Sequence, residues 1–127
     1  MKMVQAIIRP EVIERVRGAL SELGYPGLTL TEVKGHGKQK GLRQQWRGKE
    51  YVVELLSKVK IEIACLDEDA PGIVRAIVRT ARTGEEGDGK VFVLPVEDAV
   101  RVRTGEGGSD AIESAAAPRS QWRETSQ

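Results

Sequence analysis

Aromatic residues, cysteine and net charge are all scarce in this chain, and each scarcity closes off a class of function. Two Trp, two Tyr and one Phe leave no set of stacking platforms for bases, and a net charge of +1 exerts no general pull on a phosphate backbone. Nucleic-acid binding is therefore not expected. A lone cysteine, Cys65, excludes an internal disulfide and a cysteine-rich metal centre. No apolar run approaches the length of a membrane span, and the N-terminus has no leader-like pattern, so a cytoplasmic location is expected. At 127 residues the chain suits one domain, and 39% hydrophobic content suffices for a modest core.

What the chain does have is a glycine-rich turn, Thr83-Gly84-Glu85-Glu86-Gly87-Asp88-Gly89-Lys90, followed by Arg101-Val102-Arg103. Glycines let backbone approach a ligand with no Cβ in the way, and one lysine and two arginines can meet its negative charge. The implied ligand is a polyphosphate. The string nearly satisfies a P-loop, but Val91 stands where Ser or Thr must hold magnesium, and the order is helix, loop, strand rather than strand, loop, helix. A P-loop NTPase is rejected. A phosphate-binding turn entering a strand remains, with Arg101 and Arg103 expected on one face of a following strand. A solvated hairpin turn is the other reading of the same residues.

Met3 to Ile8 is an apolar, β-branched run ending at Pro10, which suits the opening of a helix. Val12, Val16, Leu20 and Leu23 then recur at helical spacing until Gly24 and Pro26 stop the pattern. Leu28 to Lys34 alternates, with Thr29, Thr31 and Val33 on one face. From Gly35 to about Leu55 glycines and basic residues dominate and apolar periodicity fades, which predicts a long functional loop with no packed element. Val59, Ile61, Ile63 and Cys65 alternate with Lys58, Lys60, Glu62 and Ala64 as a strand, and Asp67 to Ala81 reads as a helix with an acidic start. Val91 to Val96 is a further strand that Val100 to Arg103 extends or follows. The order βαβ, long loop, βαβ predicts an α+β, ferredoxin-like βαββαβ sandwich with both helices on one sheet face. The open face mixes apolar residues with Lys58, Lys60 and Glu62, so a homo-oligomer is expected. Residues 113–127 show no periodicity and are expected to form a disordered extension to a domain spanning 1–112.

The blocks Ala6-Ile7-Ile8-Arg9-Pro10, Leu28 to Gly35, Gly37-Lys38-Gln39-Lys40-Gly41, Arg47-Gly48-Lys49-Glu50-Tyr51, Lys58 to Ile63, Ala81 to Gly84 with Gly87 to Lys90, and Val100 to Glu106 occur in one order. In that order they resemble the PII nitrogen-regulatory signal proteins from Lys2 to about Ile112. The resemblance implies a non-enzymatic homotrimer whose three clefts bind ATP or ADP competitively, and 2-oxoglutarate jointly with Mg2+ and ATP. It implies that Gly87, Asp88, Gly89 and Lys90 cradle phosphates, joined by Arg101, Arg103 and Lys38. Ile7, Glu62, Ile63 and Ala64 would hold adenine, with Gly27, Leu28 and Thr29 from the adjacent chain, and Gly35, His36, Gly37 and Gln39 would complete the nucleotide site. Gln39 would ligate magnesium. Lys58 would pair with the distal carboxylate of 2-oxoglutarate, and Arg9, Gly37, Gln39, Lys40 and Gly41 would surround the rest.

The segment of about 37–55 corresponds to the family's T-loop, the finger that docks on nitrogen-metabolism enzymes, regulators and ammonium transporters. Arg47 matches a pore-plugging position and Tyr51 a nucleotidylylation site. Contact with a membrane would thus be indirect, through a transporter. Departures include Leu42 to Trp46, where relatives often carry other residues, Lys49 in place of a phosphorylated serine, and Ser57 in place of proline. Two other readings stand beside this one. The first is a PII-like sensor of bicarbonate or a cyclic nucleotide, although the Gln39 and Lys58 blocks are intact. The second is a ferredoxin-like phosphotransferase using His36, expected instead to pack near the loop base, with no carboxylate partner evident in sequence to orient it.

Overall fold

Strand β1 (Lys2–Ile8) buries Val4, Ala6 and Ile8 and leaves Met3, Gln5 and Ile7 half-buried on its other face, the period-two pattern of a strand with one packed face. The structure, a computed structural model, describes residues 1–37, 44–46, 49–51 and 54–112, with backbone alone at 37, 44–46, 49–51 and 54. A 3-10 turn over Pro10–Val12 leads into α1 (Ile13–Glu22), and β2 (Thr29–Gly37) follows. After β3 (Gln44–Trp46) and β4 (Lys49–Tyr51) come β5 (Glu54–Cys65), a 3-10 turn over Asp67–Asp69, α2 (Ala70–Ala81), β6 (Gly89–Pro95) and a last 3-10 turn over Gly108–Ala111.

The main sheet has the order β2-β5-β1-β6 with antiparallel pairing throughout. This is the ferredoxin-like arrangement expected from the duplicated βαβ order. Val12, Val16 and Leu20 from the first helical segment and Ile73 and Ile77 from α2 enter one core with Val59, Ile61, Ile63 and Cys65. Burying each such Val, Leu or Ile contributes about 1.5–3 kcal/mol. Among the described residues no charged side chain is buried. Pro71 sits in the first turn of α2, where its missing N–H leaves no hydrogen bond unmade.

Three expectations need correction. The interval read as an unstructured loop contains a short ladder, β3 against β4, pairing Gln44 with Tyr51 and Trp46 with Lys49. It also loses its base, since Gly35 and His36 belong to β2 and β5 begins at Glu54. Backbone pairing of edge residues needs no buried stripe, so apolar periodicity gave no sign of it. The third correction concerns 100–103, which are not a strand. Val100 makes one bridge to Gly107, and Gly105 (φ 75°) and Gly108 (φ 65°) fold the chain back so that Gly105 N donates to Arg101 O at 2.8 Å. Lys38, Gln39, Lys40, Gly41 and Arg47 lie outside the described residues, as do the side chain of Tyr51 and the expected tail over 113–127.

Candidate functional site

The first part of the site is set by how α1 stops. Gly24, at φ 94°, donates to Ser21 O at 3.0 Å, and Tyr25 N donates to Leu20 O at 3.0 Å, the two bonds of a Schellman cap. The cap turns Tyr25 into the core against Leu20, and its hydroxyl donates to the Asp69 carboxylate at the start of α2. Burial first, then that carboxylate, push the Tyr25 phenol well above its ordinary pKa. Chain leaving Tyr25 therefore enters β2 beside β5, with Thr29 opposite Glu62.

A pocket of about 510 Å³ results, lined by Gly27, Leu28, Thr29, Glu62, Ile63 and Ala64 with Met3 and Tyr25, and closed on one side by Ala111 and Ile112. Its size lies within the range of small-molecule sites. Strand register brings Gly27–Thr29 and Glu62–Ala64 together within one chain. The Glu62 carboxylate accepts from Gln5 Nε2 at 3.4 Å and lies 3.9 Å from Lys60 Nζ. Arg101 is near this end too, its Nη2 donating to Asp110 O at 3.3 Å just before Ala111.

The second part is the glycine turn. Asp88 holds it closed, accepting from the amides of Thr83 and Gly84 at 2.9 Å each and from the Thr83 hydroxyl. Thr83's hydroxyl above all, then these amides and Arg9, hold the Asp88 carboxyl well below the usual carboxylate range. Arg9 comes from the end of β1, with Nε 3.1 Å from Asp88 Oδ1 and Nη2 donating to Glu86 O at 2.5 Å. Lys58, from β5, donates Nζ to Gly87 O. A Cβ placed on Gly87 would stand 3.3 Å from Arg9 Nη2 and 3.4 Å from Lys58 Nζ, so both cations crowd the turn. Partial burial and then the Arg9 guanidinium pull the Lys58 ammonium below its ordinary pKa. Two cations forced together are relieved by an anion, and this pair can accept one.

Gly89 is the tightest point of the turn. At φ 106°, a Cβ there would fall 1.8 Å from Ile7 O, so only glycine lets β6 join β1 at this register. Lys90 then pairs with Ile7, which pairs with Lys60, placing all three on the open sheet face. One pleat further along that face lie Phe92, Gln5, Glu62 and Thr29.

Within one chain the expected nucleotide residues thus form two groups on one sheet, at the pocket and at the turn. Lys58 and Glu62 are four residues apart on β5, about 13 Å at ~3.3 Å per residue. Gly35 lies over the Lys58 stem, where a Cβ would be 3.8 Å from Lys58 Cγ. Arg103 is exposed in the folded-back loop. His36 is exposed opposite Leu55 on the edge strand, not packed as expected, because no helix covers the sheet there. Thr83, Met3, Tyr25, Ala111 and Ile112 were not anticipated. The Thr-to-Asp spacing across the turn offered a local signal for Thr83, whereas the others come together only through tertiary packing.

The P-II family, described as nitrogen regulatory protein P-II, matches residues 1–106. Among individual relatives, nitrogen regulatory protein P-II of Azospirillum brasilense is 52% identical over 112 residues, 88% of this chain and 100% of that protein. Nitrogen regulatory protein P-II of Rhizobium meliloti is 51% identical over 88% of this chain and 100% of its own. GlnK2 of Haloferax mediterranei, also named a nitrogen regulatory protein, is 51% identical over 88% of this chain and 91% of its own. These are similarities to proteins named as regulators. The sheet order, the glycine turn and the match from the first residue to residue 106 make this chain a member of the P-II family of nitrogen regulatory proteins, non-enzymatic signal proteins.

Proposed function

We propose that this P-II protein senses ATP or ADP together with 2-oxoglutarate and transmits ligand state through the segment of about 37–55 to nitrogen-metabolism targets in the cytoplasm. Enzymes, regulators and an ammonium transporter are the classes of target. The observation carrying this reading is the convergence of Arg9 and Lys58 under the carbonyls of Glu86 and Gly87. That turn, where Arg9 and Lys58 stand against the Glu86 and Gly87 carbonyls, shares a sheet with the pocket that would take the base.

The base would lie among Gly27–Thr29 and Glu62–Ala64, and the phosphates would meet Gly87, Gly89 and Lys90 with Arg101 and Arg103. In one chain these groups stand too far apart for a single compact contact. Assembly of three chains through the open sheet face, where Phe92 and Leu94 are 44% and 41% exposed, would bring one chain's pocket to the next chain's turn. Gln39, which lies outside the described residues, would hold magnesium. When bound, it would supply positive charge that offsets the negative charge of both ligands. The keto acid's distal carboxylate would sit against Lys58 and Arg9, and the coupling between ligands would then be reciprocal, about 1–3 kcal/mol.

No helix among the described residues is long and apolar enough to cross a membrane. Calorimetry tests the whole: 2-oxoglutarate should bind only with Mg-ATP present, and Lys58→Met should abolish that binding while sparing ATP. Keto-acid binding without nucleotide, or in Lys58→Met, refutes the assignment. Saturation by another metabolite in its place would favour a PII-like sensor of different specificity.

A further inference from the structure

We infer that a second small-molecule site lies on the helix-covered side of the sheet, between α2 and β6, and takes a short-chain aliphatic carboxylate. Val74, Ile77, Val78 and Ala81 of α2 wall a cavity of about 320 Å³ there, with Ile8 of β1 and Val91 of β6. Its volume lies within the range of small-molecule sites. The cavity follows from the sheet order. β6 is an edge strand, and its Val91 and Val93 stand opposite the buried Ala6 and Val4, so they face the packed side. The helices do not reach that edge, since Val93 is still 49% exposed, and an apolar trough is left beside α2.

Charge selects the head group. Arg82, the residue that caps α2, also lines the cavity, and among the described residues its guanidinium has no hydrogen bond or ion pair. Asp88 lines it too, but its carboxylate is already taken by Thr83, Gly84 and Arg9. Lys90 contributes main chain only, because its register with Ile7 turns the side chain to the open face. One available cation beside apolar walls matches a monoanion with an alkyl tail. A polyphosphate has too much charge and no tail.

Asp88 and Gly89 form part of the wall, so an occupant sits behind the glycine turn. Coupling to nucleotide rests on the reading that gives the other side of that turn to phosphates; the site itself does not.

The test titrates the full chain, with 13C-labelled Val and Ile methyl groups, with sodium butanoate, hexanoate and octanoate. Saturable shifts are expected at Val74, Ile77, Val78 and Val91, with affinity rising about fourfold for each methylene buried. Arg82→Glu, at an exposed position, should weaken octanoate about fivefold or more and admit octylammonium instead. Shifts that never saturate, or an affinity indifferent to chain length and to Arg82→Glu, overturn the site. Mg-ATP should change octanoate affinity about fivefold or more in one direction. An unchanged affinity in a protein that binds ATP overturns the coupling. If ATP does not bind at all, the nucleotide reading fails on its own, and the octanoate series still decides the site.

Discussion

Replacing Gly89 with alanine isolates the contact on which the glycine turn depends. The new Cβ would lie 1.8 Å from Ile7 O, while real Cβ contacts essentially never fall below 3.0 Å, so the strands must part by at least 1.2 Å (3.0 − 1.8). Two contributions add. Holding alanine at φ 106° costs about 1–2 kcal/mol, and parting β6 from β1 weakens about two ladder bonds at ~1 kcal/mol each. The sum is ~3–4 kcal/mol, a large share of a typical domain's 5–15 kcal/mol.

Gly84→Ala is the internal control. Its φ is 89°, but a Cβ there has nothing within 4 Å, so only the backbone cost of about 1–2 kcal/mol applies. Urea unfolding followed by circular dichroism, at fixed protein concentration, should separate the two variants by ~2 kcal/mol. Thermal midpoints should fall by roughly 10–20 °C for Gly89→Ala at about 3–5 °C per kcal/mol. Equal losses in the two variants would refute the argument that the Ile7 carbonyl, and not the sign of φ, makes glycine obligatory.

Asp88→Asn should loosen the turn in a pH-dependent way. The Asp88 pKa is depressed in the folded state, so its contribution is complete above the unfolded value of about 4 and fades as pH falls below it. The stability gap between wild type and Asp88→Asn should therefore shrink from pH 6 toward pH 2, and a gap independent of pH would contradict the pinning role. Tyr25→Phe removes the hydroxyl bonded to Asp69 and should cost ~1.5–3 kcal/mol by urea unfolding. Because the Tyr25 pKa is raised, its stabilisation should be complete below about pH 10 and decline above it; loss starting near neutrality would contradict this. Cys65 is fully buried, and burial pushes its thiol up to about 11, so a thiol reagent at pH 8 should label it only at the rate of unfolding. Rapid labelling of the native protein would show that the strand is open.

Much of the architecture was written in local patterns. Period-two alternation in Val59 to Cys65 and helical spacing in Val12, Val16 and Leu20 each define a buried face whatever the rest of the chain does, and both faces meet in the core. The glycines of 84–89 marked a turn, and all three, Gly84, Gly87 and Gly89, adopt positive φ. Alternation failed at 100–103 because two glycines just beyond, Gly105 and Gly108, fold that segment back, and at 44–51 because a backbone ladder leaves no apolar mark.

The site divides along the same line. Sequence by itself determined which residues carry charge and where glycines cluster, since these are fixed by side-chain chemistry alone, whereas the need for glycine at 89 comes from the Ile7 carbonyl across the strand pair. Tertiary structure decided that Asp88 also meets Arg9, that Lys58 reaches the Gly87 carbonyl, and that Thr29 and Glu62 share one pocket with Ile112. Those meetings join residues up to 83 positions apart (112 − 29), and only the folded chain brings them together.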